Sequence, residues 1–235
     1  MNYVGTSGYS YKEWKGTFYP EKIAATDMLR FYAQHFKTVE INNTFYRMPN
    51  EKTLVQWSDQ VSDHFAFAIK ASRRITHLKR LQGVEDEMSY LLRTVVVLGP
   101  KLGPLLFQLP PNLKKDSGRL RAFLELVPNG CRAALEFRNE SWFDDEVYEL
   151  LSSSNVALVI SDTEEGMARE LDATADFAYL RLRREDYGDS DLREWGKRIS
   201  DGQWNDVFAF FKHEDDGAGP RLAARLIEIL KETRA

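Results

Sequence analysis

The residues able to do chemistry in this chain stand near the ends of short apolar runs. Glu40 and Asn42 interrupt "VEINNTFYR" (39–47), and Lys70 stands near the end of "FAFAIKAS" (65–72). Gln108 lies in "GPLLFQL" (103–109), Glu136 and Arg138 in "RAALEFR" (132–138), Asp162 in "VALVISD" (156–162), and Arg181 and Arg183 in "FAYLRLR" (177–183). Glu40 and Glu136 have the makings of an acid/base or nucleophile/acid pair. In glycosidases such a pair sits ~5–5.5 Å apart for retention and ~6.5–9.5 Å apart for inversion. Lys70, Arg73, Arg138, Arg181 and Arg183 suit a clamp for phosphate or carboxylate, because arginine binds such groups bidentately. His77 adds a group that titrates near neutrality.

Three other readings compete. Glu40, Glu136, Asp162 and His77 are possible ligands for a divalent metal. The chain has only four histidines, no HxH or HxxE spacing, and neighbouring cations that repel a metal, so no metal site is assigned. The basic stretch "SRRITHLKR" (72–80) is a candidate nucleic-acid contact, with tyrosines and tryptophans stacking on bases. A net charge of −4 and a pI of about 5.7 argue against it as the main role, and a charge run is usually a solvated face. Finally, the buried charges are able to form a self-satisfied network that only fixes register. Likewise Tyr9, Tyr11, Trp14, Tyr46 and Trp142 either stack on a ligand or pack loops against the core.

Positioning these groups requires a scaffold. Eight β-rich runs recur: 3–8, 38–45, 65–72, 103–109, 132–138, 156–162, 177–183 and 206–213. Most intervening segments show helical periodicity; Val84, Met88, Leu91, Val95 and Leu98 step by four and three onto one face. Leu222, Leu226 and Ile229 do the same, and Asp27, Asp116 or Ser117, Asp144, and Ser190 or Asp191 sit where N-caps belong. The alternation predicts one α/β domain over residues 1–235, a (β/α)8 TIM-type barrel. Its sixth helix is expected to be short or absent, because "TEEGMARELDATAD" contains Gly166 and little periodicity. An open doubly wound sheet would carry a Gly-rich phosphate turn after its first strand, and "GTSGYS" does not match it.

Side chains alternate along a strand. With Val39, Ile41, Phe67, Ile69, Phe107, Leu109, Leu135, Phe137, Leu180 and Leu182 turned to the helices, Glu40, Asn42, Lys70, Gln108, Glu136, Arg138, Arg181 and Arg183 turn inward. The phase of the sixth strand is ambiguous, and Asp162 is expected at the mouth because it ends that strand. The C-terminal face is where such barrels carry chemistry.

Hydrophobic residues make up 43% of the 235, enough for a core without disulfides. Cys131 is the single cysteine, which excludes an internal disulfide and a Cys-based metal cluster and suits a reducing compartment. "YVGTSG" lacks the features of a signal peptide, and no apolar run reaches the ~18 residues of a membrane span. The expectation is a soluble cytoplasmic protein.

The blocks "GTSGYSYKEWKGTFYP", "VEINNTFYRMP", "FAIKASRRITH", "LLFQLPP", "LEFRNESW" and "YLRLR" resemble the YecE-like family, domain of unknown function 72. The resemblance runs from Val4 to the C-terminal helix. It implies a TIM-type barrel and no assigned activity. The family pattern falls on Gly5, Gly8, Trp14, Tyr19, Glu40, Asn42, Thr44, Phe45, Tyr46, Lys70, Thr76, His77, Gln108, Pro110, Glu136, Arg138, Trp142, Asp162 and Arg181. Arg183–Arg184 replace the usual His-Gly pair, and Lys212–His213 replace the usual Asn-Asn.

Together these readings predict an enzyme, a hydrolase or isomerase, acting on a small polar or anionic substrate such as a sugar phosphate or nucleotide-like molecule; the alternatives are a non-catalytic nucleic-acid or anionic-ligand binding protein and a metal-dependent isomerase or phosphoesterase. Glu40, Glu136 and His77 are the candidate catalytic residues. Asn42, Tyr46, Lys70, Arg73, Gln108, Arg138, Trp142, Asp162 and Arg181 are the candidate substrate contacts. No cofactor or oligomeric state is assigned.

Overall fold

The computed structural model describes residues 1–163 and 173–233. Its strands are β1 (Asn2–Thr6), β2 (Thr38–Ile41), β3 (Ala66–Lys70), β4 (Leu102–Gln108), β5 (Ala133–Glu136), β6 (Ala157–Asp162), β7 (Phe177–Leu182) and β8 (Asp206–Phe211). They form one sheet in the order β1-β8-β7-β6-β5-β4-β3-β2, and every pairing is parallel. This is the expected eight-stranded barrel. The proposed short or missing sixth helix falls largely on residues 164–172 and lies outside the described residues.

The barrel closes between β1 and β2 by unusual means. A single bridge joins Ser7 to Glu40, and the Gly8 N–H donates to the Glu40 carbonyl at 2.7 Å. Lower down, the buried Tyr32 hydroxyl of α1 (Met28–Tyr32) accepts the Thr6 N–H at 2.9 Å and donates to the Thr38 carbonyl at 3.0 Å. A phenol thus stands in for ladder bonds. Gly5 lets the strands approach, since a Cβ there would collide with the Thr38 carbonyl oxygen. Tyr32→Phe leaves both backbone groups unpaired in a dry seam, so a loss of about 1–3 kcal/mol is expected. It should appear as a lower urea midpoint with an unchanged m-value. An unmoved midpoint would mean that the phenol does not carry the seam.

The helices are α2 (Glu51–Ser58), α3 (Glu85–Val95), α4 (Ser117–Leu124), α5 (Asp145–Ser153), α6 (Asp189–Asp201) and α7 (Ala218–Glu232). Asp116 and Asp144 cap α4 and α5 as expected, accepting the Arg119 N–H at 2.9 Å and the Glu146 N–H at 3.0 Å. At α6 the N-cap is Gly188, whose N–H is taken by the Asp191 carboxylate at 2.8 Å. The stripe Val84, Met88, Leu91, Val95 and Leu98 is wholly buried. No described helix is long and apolar enough to cross a membrane.

Alternation along the strands splits the apolar residues into two cores. Val39, Ile41, Phe67, Ile69, Phe107, Leu135, Leu180 and Leu182 pack under the helices. Ala66, Ala68, Leu106, Ala134, Ala157, Val159, Phe177, Tyr179, Phe208 and Phe210 fill the barrel. The interior floor is aromatic, with Tyr3 stacked on Phe208 at 4.7 Å. The expected phase therefore holds on β2, β3, β4, β5 and β7. On β6, Leu158 and Ile160 face the helices and Val159 faces the interior. The next inward residue is thus Ser161, and Asp162 points outward.

Candidate functional site

Toward the C-terminal ends of the strands, the inward positions change from apolar to polar. Parallel register brings Gln108 beside Glu136 and Ser161 beside Arg181. Across the barrel, Arg181 joins carboxylates from β2 and β5. Its Nε donates to Glu40 Oε2 at 2.9 Å and its NH2 to Glu40 Oε1 at 2.8 Å, while NH1 donates to Glu136 Oε2 at 2.7 Å. All three residues are at most 2% exposed, so each charge depends on the others.

Further donors complete the network. Glu40 also accepts from Ser7 Oγ at 2.7 Å, Asn42 Nδ2 at 3.0 Å and Tyr179 Oη at 2.8 Å. Glu136 accepts from Gln108 Nε2 at 2.7 Å and Arg183 NH2 at 2.7 Å. Arg183 NH2 also reaches Ser161 Oγ at 2.5 Å, and its buried Nε has no partner among the described residues.

Burial alone would push the Glu40 carboxyl up. The Arg181 charge and the hydrogen bonds from Arg181, Ser7 and Asn42 outweigh it and hold the group at about 2. Glu136 is likewise held below its usual range, with burial opposed by Arg181 and Arg183. Both directions weigh against the acid/base role expected of the pair. A general acid must keep its proton near working pH, whereas Glu40 is firmly ionised and its oxygens already accept five hydrogen bonds. Both carboxylates are engaged by arginine guanidinium groups.

The groups with reactive capacity stand above that layer. Lys70 Nζ donates to Gln108 Oε1 at 3.0 Å and sits 4.4 Å from the Phe45 ring centroid. Burial, then the Arg181 charge, lowers its pKa to about 8. His77 packs edge-on against the same Phe45 ring at 4.9 Å. It lies in a single π-helical turn, Arg74–Leu78, and its Nδ1 hydrogen-bonds Thr76 Oγ1 at 2.9 Å. Burial, then Lys70 and Arg138, pushes its pKa down, which keeps the ring neutral at physiological pH.

The remaining expected contacts divide. Arg138 is exposed, and its charge acts on both His77 and Arg183. Tyr46 is 72% exposed, and Arg73 is exposed. Two expectations are corrected. Trp142 is fully buried, stacked on Phe137 at 4.8 Å, with Nε1 donating to the Leu113 carbonyl at 2.7 Å. It packs a loop and presents no face to a ligand. Asp162 turns to the helix side and accepts from Tyr187 Oη at 2.8 Å and Trp195 Nε1 at 3.3 Å. Ser7 and Ser161 join the site unforeseen. Tyr179 and Arg183 were visible from their parity with Arg181. Among the described residues, no three His, Cys, Asp or Glu side chains converge as metal ligands.

The sequence matches the family model "Protein of unknown function DUF72" over residues 3–235. The chain belongs to the DUF72 family. It is 24% identical to the UPF0759 protein YunF of Bacillus subtilis (strain 168), over 98% of this chain and 95% of YunF. It is 28% identical to the UPF0759 protein YecE of Escherichia coli (strain K12), over 61% of this chain and 50% of YecE. A DUF72 family protein from Thermotoga maritima has a crystal structure that superposes with a TM-score of 0.84, at 25% identity, covering 98% of this chain and 99% of that one.

The two departures from the DUF72 pattern meet in space. His213 Nε2 donates to the Arg184 carbonyl at 2.6 Å. Arg184 stacks over Tyr187 at 4.7 Å and pairs with Asp191 at 2.9 Å. Arg183, where the resemblance implies a histidine, delivers a second cation to Glu136. The substitutions therefore alter one connected edge of the mouth.

Proposed function

We propose that this DUF72 protein is an enzyme that binds a small anionic, carbonyl-bearing substrate of the sugar-phosphate type at the C-terminal mouth and isomerises it by proton transfer. The observation that carries this reading is the charge balance. Glu40 and Glu136 face Arg181, Arg183 and Lys70, so two negative charges meet three positive ones, and Arg138 adds another at the rim. The Arg183 Nε donor lacks an acceptor among the described residues. An anion would relieve both conditions. His77, kept neutral, is the group suited to accept a proton. Hydrolysis by paired carboxylates is not carried forward, because both are engaged by arginines. The basic 72–80 stretch supports a nucleic-acid role less well, since Arg74 and Lys79 already pair with Glu87 at 3.5 and 2.7 Å.

Thermal-shift measurements against phosphorylated and unphosphorylated three- to six-carbon sugars test the reading. Phosphorylated compounds are expected to raise the midpoint. Arg183→Met should remove most of that response, a loss of about tenfold or more in affinity for one charge-assisted contact. No response of the unmodified protein to any phosphorylated sugar or to inorganic phosphate would overturn it. Turnover is then sought among the compounds that bind.

A further inference from the structure

We infer that Lys70 is a nucleophilic amine that forms an imine with the carbonyl carbon of the substrate. The inference deepens the proposed function and rests on it for the anionic class of that substrate. Three geometric facts carry it. Lys70 ends β3 at the C-terminal face and is partly exposed, whereas the arginine-held carboxylates beneath it are sealed. Among the described residues, its Nζ has one hydrogen-bond acceptor, the neutral Gln108 amide oxygen, and one aromatic face, Phe45, and no carboxylate forms a salt bridge with it. His77 packs on that same ring, which brings a second titratable group to the amine's side of the site.

The surroundings make the free amine accessible near neutral pH, although the ammonium form still predominates there. Burial and the charges of Arg181 and Arg183 disfavour the ammonium form, opposed by Glu40 and Glu136, and the balance brings the group to about 8. A lysine desolvated beside other cations is a recognised route to an amine nucleophile. The step balances. The Nζ lone pair adds to the carbonyl carbon and the π pair moves to oxygen. A proton passes from nitrogen to that oxygen; the hydroxyl then leaves as water with a second proton taken from solvent, and the nitrogen keeps its remaining hydrogen as the protonated imine, C=N⁺–H. The protonated imine withdraws electrons from the adjacent C–H bond, whose proton passes to His77. Reprotonation and hydrolysis return the water's atoms to the product and free Lys70.

Trapping with two aldehydes tests this on the intact protein. Pyridoxal 5′-phosphate carries both an aldehyde and a phosphate, and glycolaldehyde carries only the aldehyde. Each is incubated with the protein near neutral pH, reduced with borohydride or cyanoborohydride, and located by peptide mass spectrometry. Both are expected to label Lys70 more than about tenfold faster than the other twelve lysines, because the free-amine fraction rises roughly three-hundredfold and lower basicity takes part of that back. Inorganic phosphate should protect against the first aldehyde and not the second. Lys70→Arg, which keeps the cation, should lose the adduct and retain the response to phosphate.

Labelling of Lys70 by both aldehydes without phosphate protection upholds the amine and removes the anion reading. A phosphate response with label spread over surface lysines, and none on Lys70, upholds the anion reading and overturns the amine.

Discussion

Replacing Arg181 with methionine is expected to destabilise the protein by about 3–5 kcal/mol, the usual cost of removing one partner from a buried ion pair. The guanidinium is 2% exposed and makes three hydrogen bonds to two carboxylates that are equally sealed. Without it, Glu40 keeps only neutral donors and Glu136 keeps Arg183. The barrel floor below is alanine, leucine, valine and aromatic, and the arginine that packs against it, Arg132, is paired with Asp206. Adding Glu40→Gln to Arg181→Met should recover part of the loss, because the orphaned charge goes with its partner. Urea midpoints of the two single variants and the double variant measure the coupling. A single-variant loss below about 1 kcal/mol would mean that water reaches the layer and that the dry network does not exist.

The second large effect is a loss of stability in acid. Glu40 ionises at about 2 in the folded chain against an ordinary value of 4.5. Between those values the unfolded chain binds the proton and the folded chain does not. Its contribution is therefore complete above roughly pH 4.5, shrinks as pH falls, and is spent near pH 2. At 1.36 kcal/mol per unit this amounts to about 3 kcal/mol from one group, and Glu136, shifted the same way, adds to it. Glu40→Gln cannot titrate at that position. Its stability should lie below the parent at pH 6 and approach it as pH drops toward 2. Surface carboxylates such as Asp144 and Asp189 are also shifted down, but they are common to both proteins and cancel in the difference. Parallel stability curves from pH 6 to pH 2 would sink the assignment.

Both expectations shift the role of the two glutamates from reagents to supports. Burial is costly for each ion alone, and five hydrogen bonds on Glu40 make it tolerable. In return Arg181 is held beneath the mouth by both carboxylates, and under the proposed function Arg183 Nε and the partly exposed Lys70 are the groups left to meet a ligand.

The local code of the chain determined the eight strands, the helix stripe beginning at Val84, and the inward parity of Glu40, Lys70, Gln108, Glu136 and Arg181. These follow from periods of two and 3.6, which need no knowledge of distant neighbours. Tertiary structure decided the rest. On β6 both phases offered apolar residues, so only packing against α6 could send Asp162 outward to Tyr187 and Trp195 and leave Ser161 within. Trp142 read as a mouth aromatic until Phe137 and the Leu113 carbonyl enclosed it. Arg181 meets Glu40 across 141 positions of sequence, and ionisation depends on such through-space partners at a few ångströms. The residues able to ionise are therefore written in the sequence, but which of them can still release or accept a proton is set by what the closed barrel brings against each one.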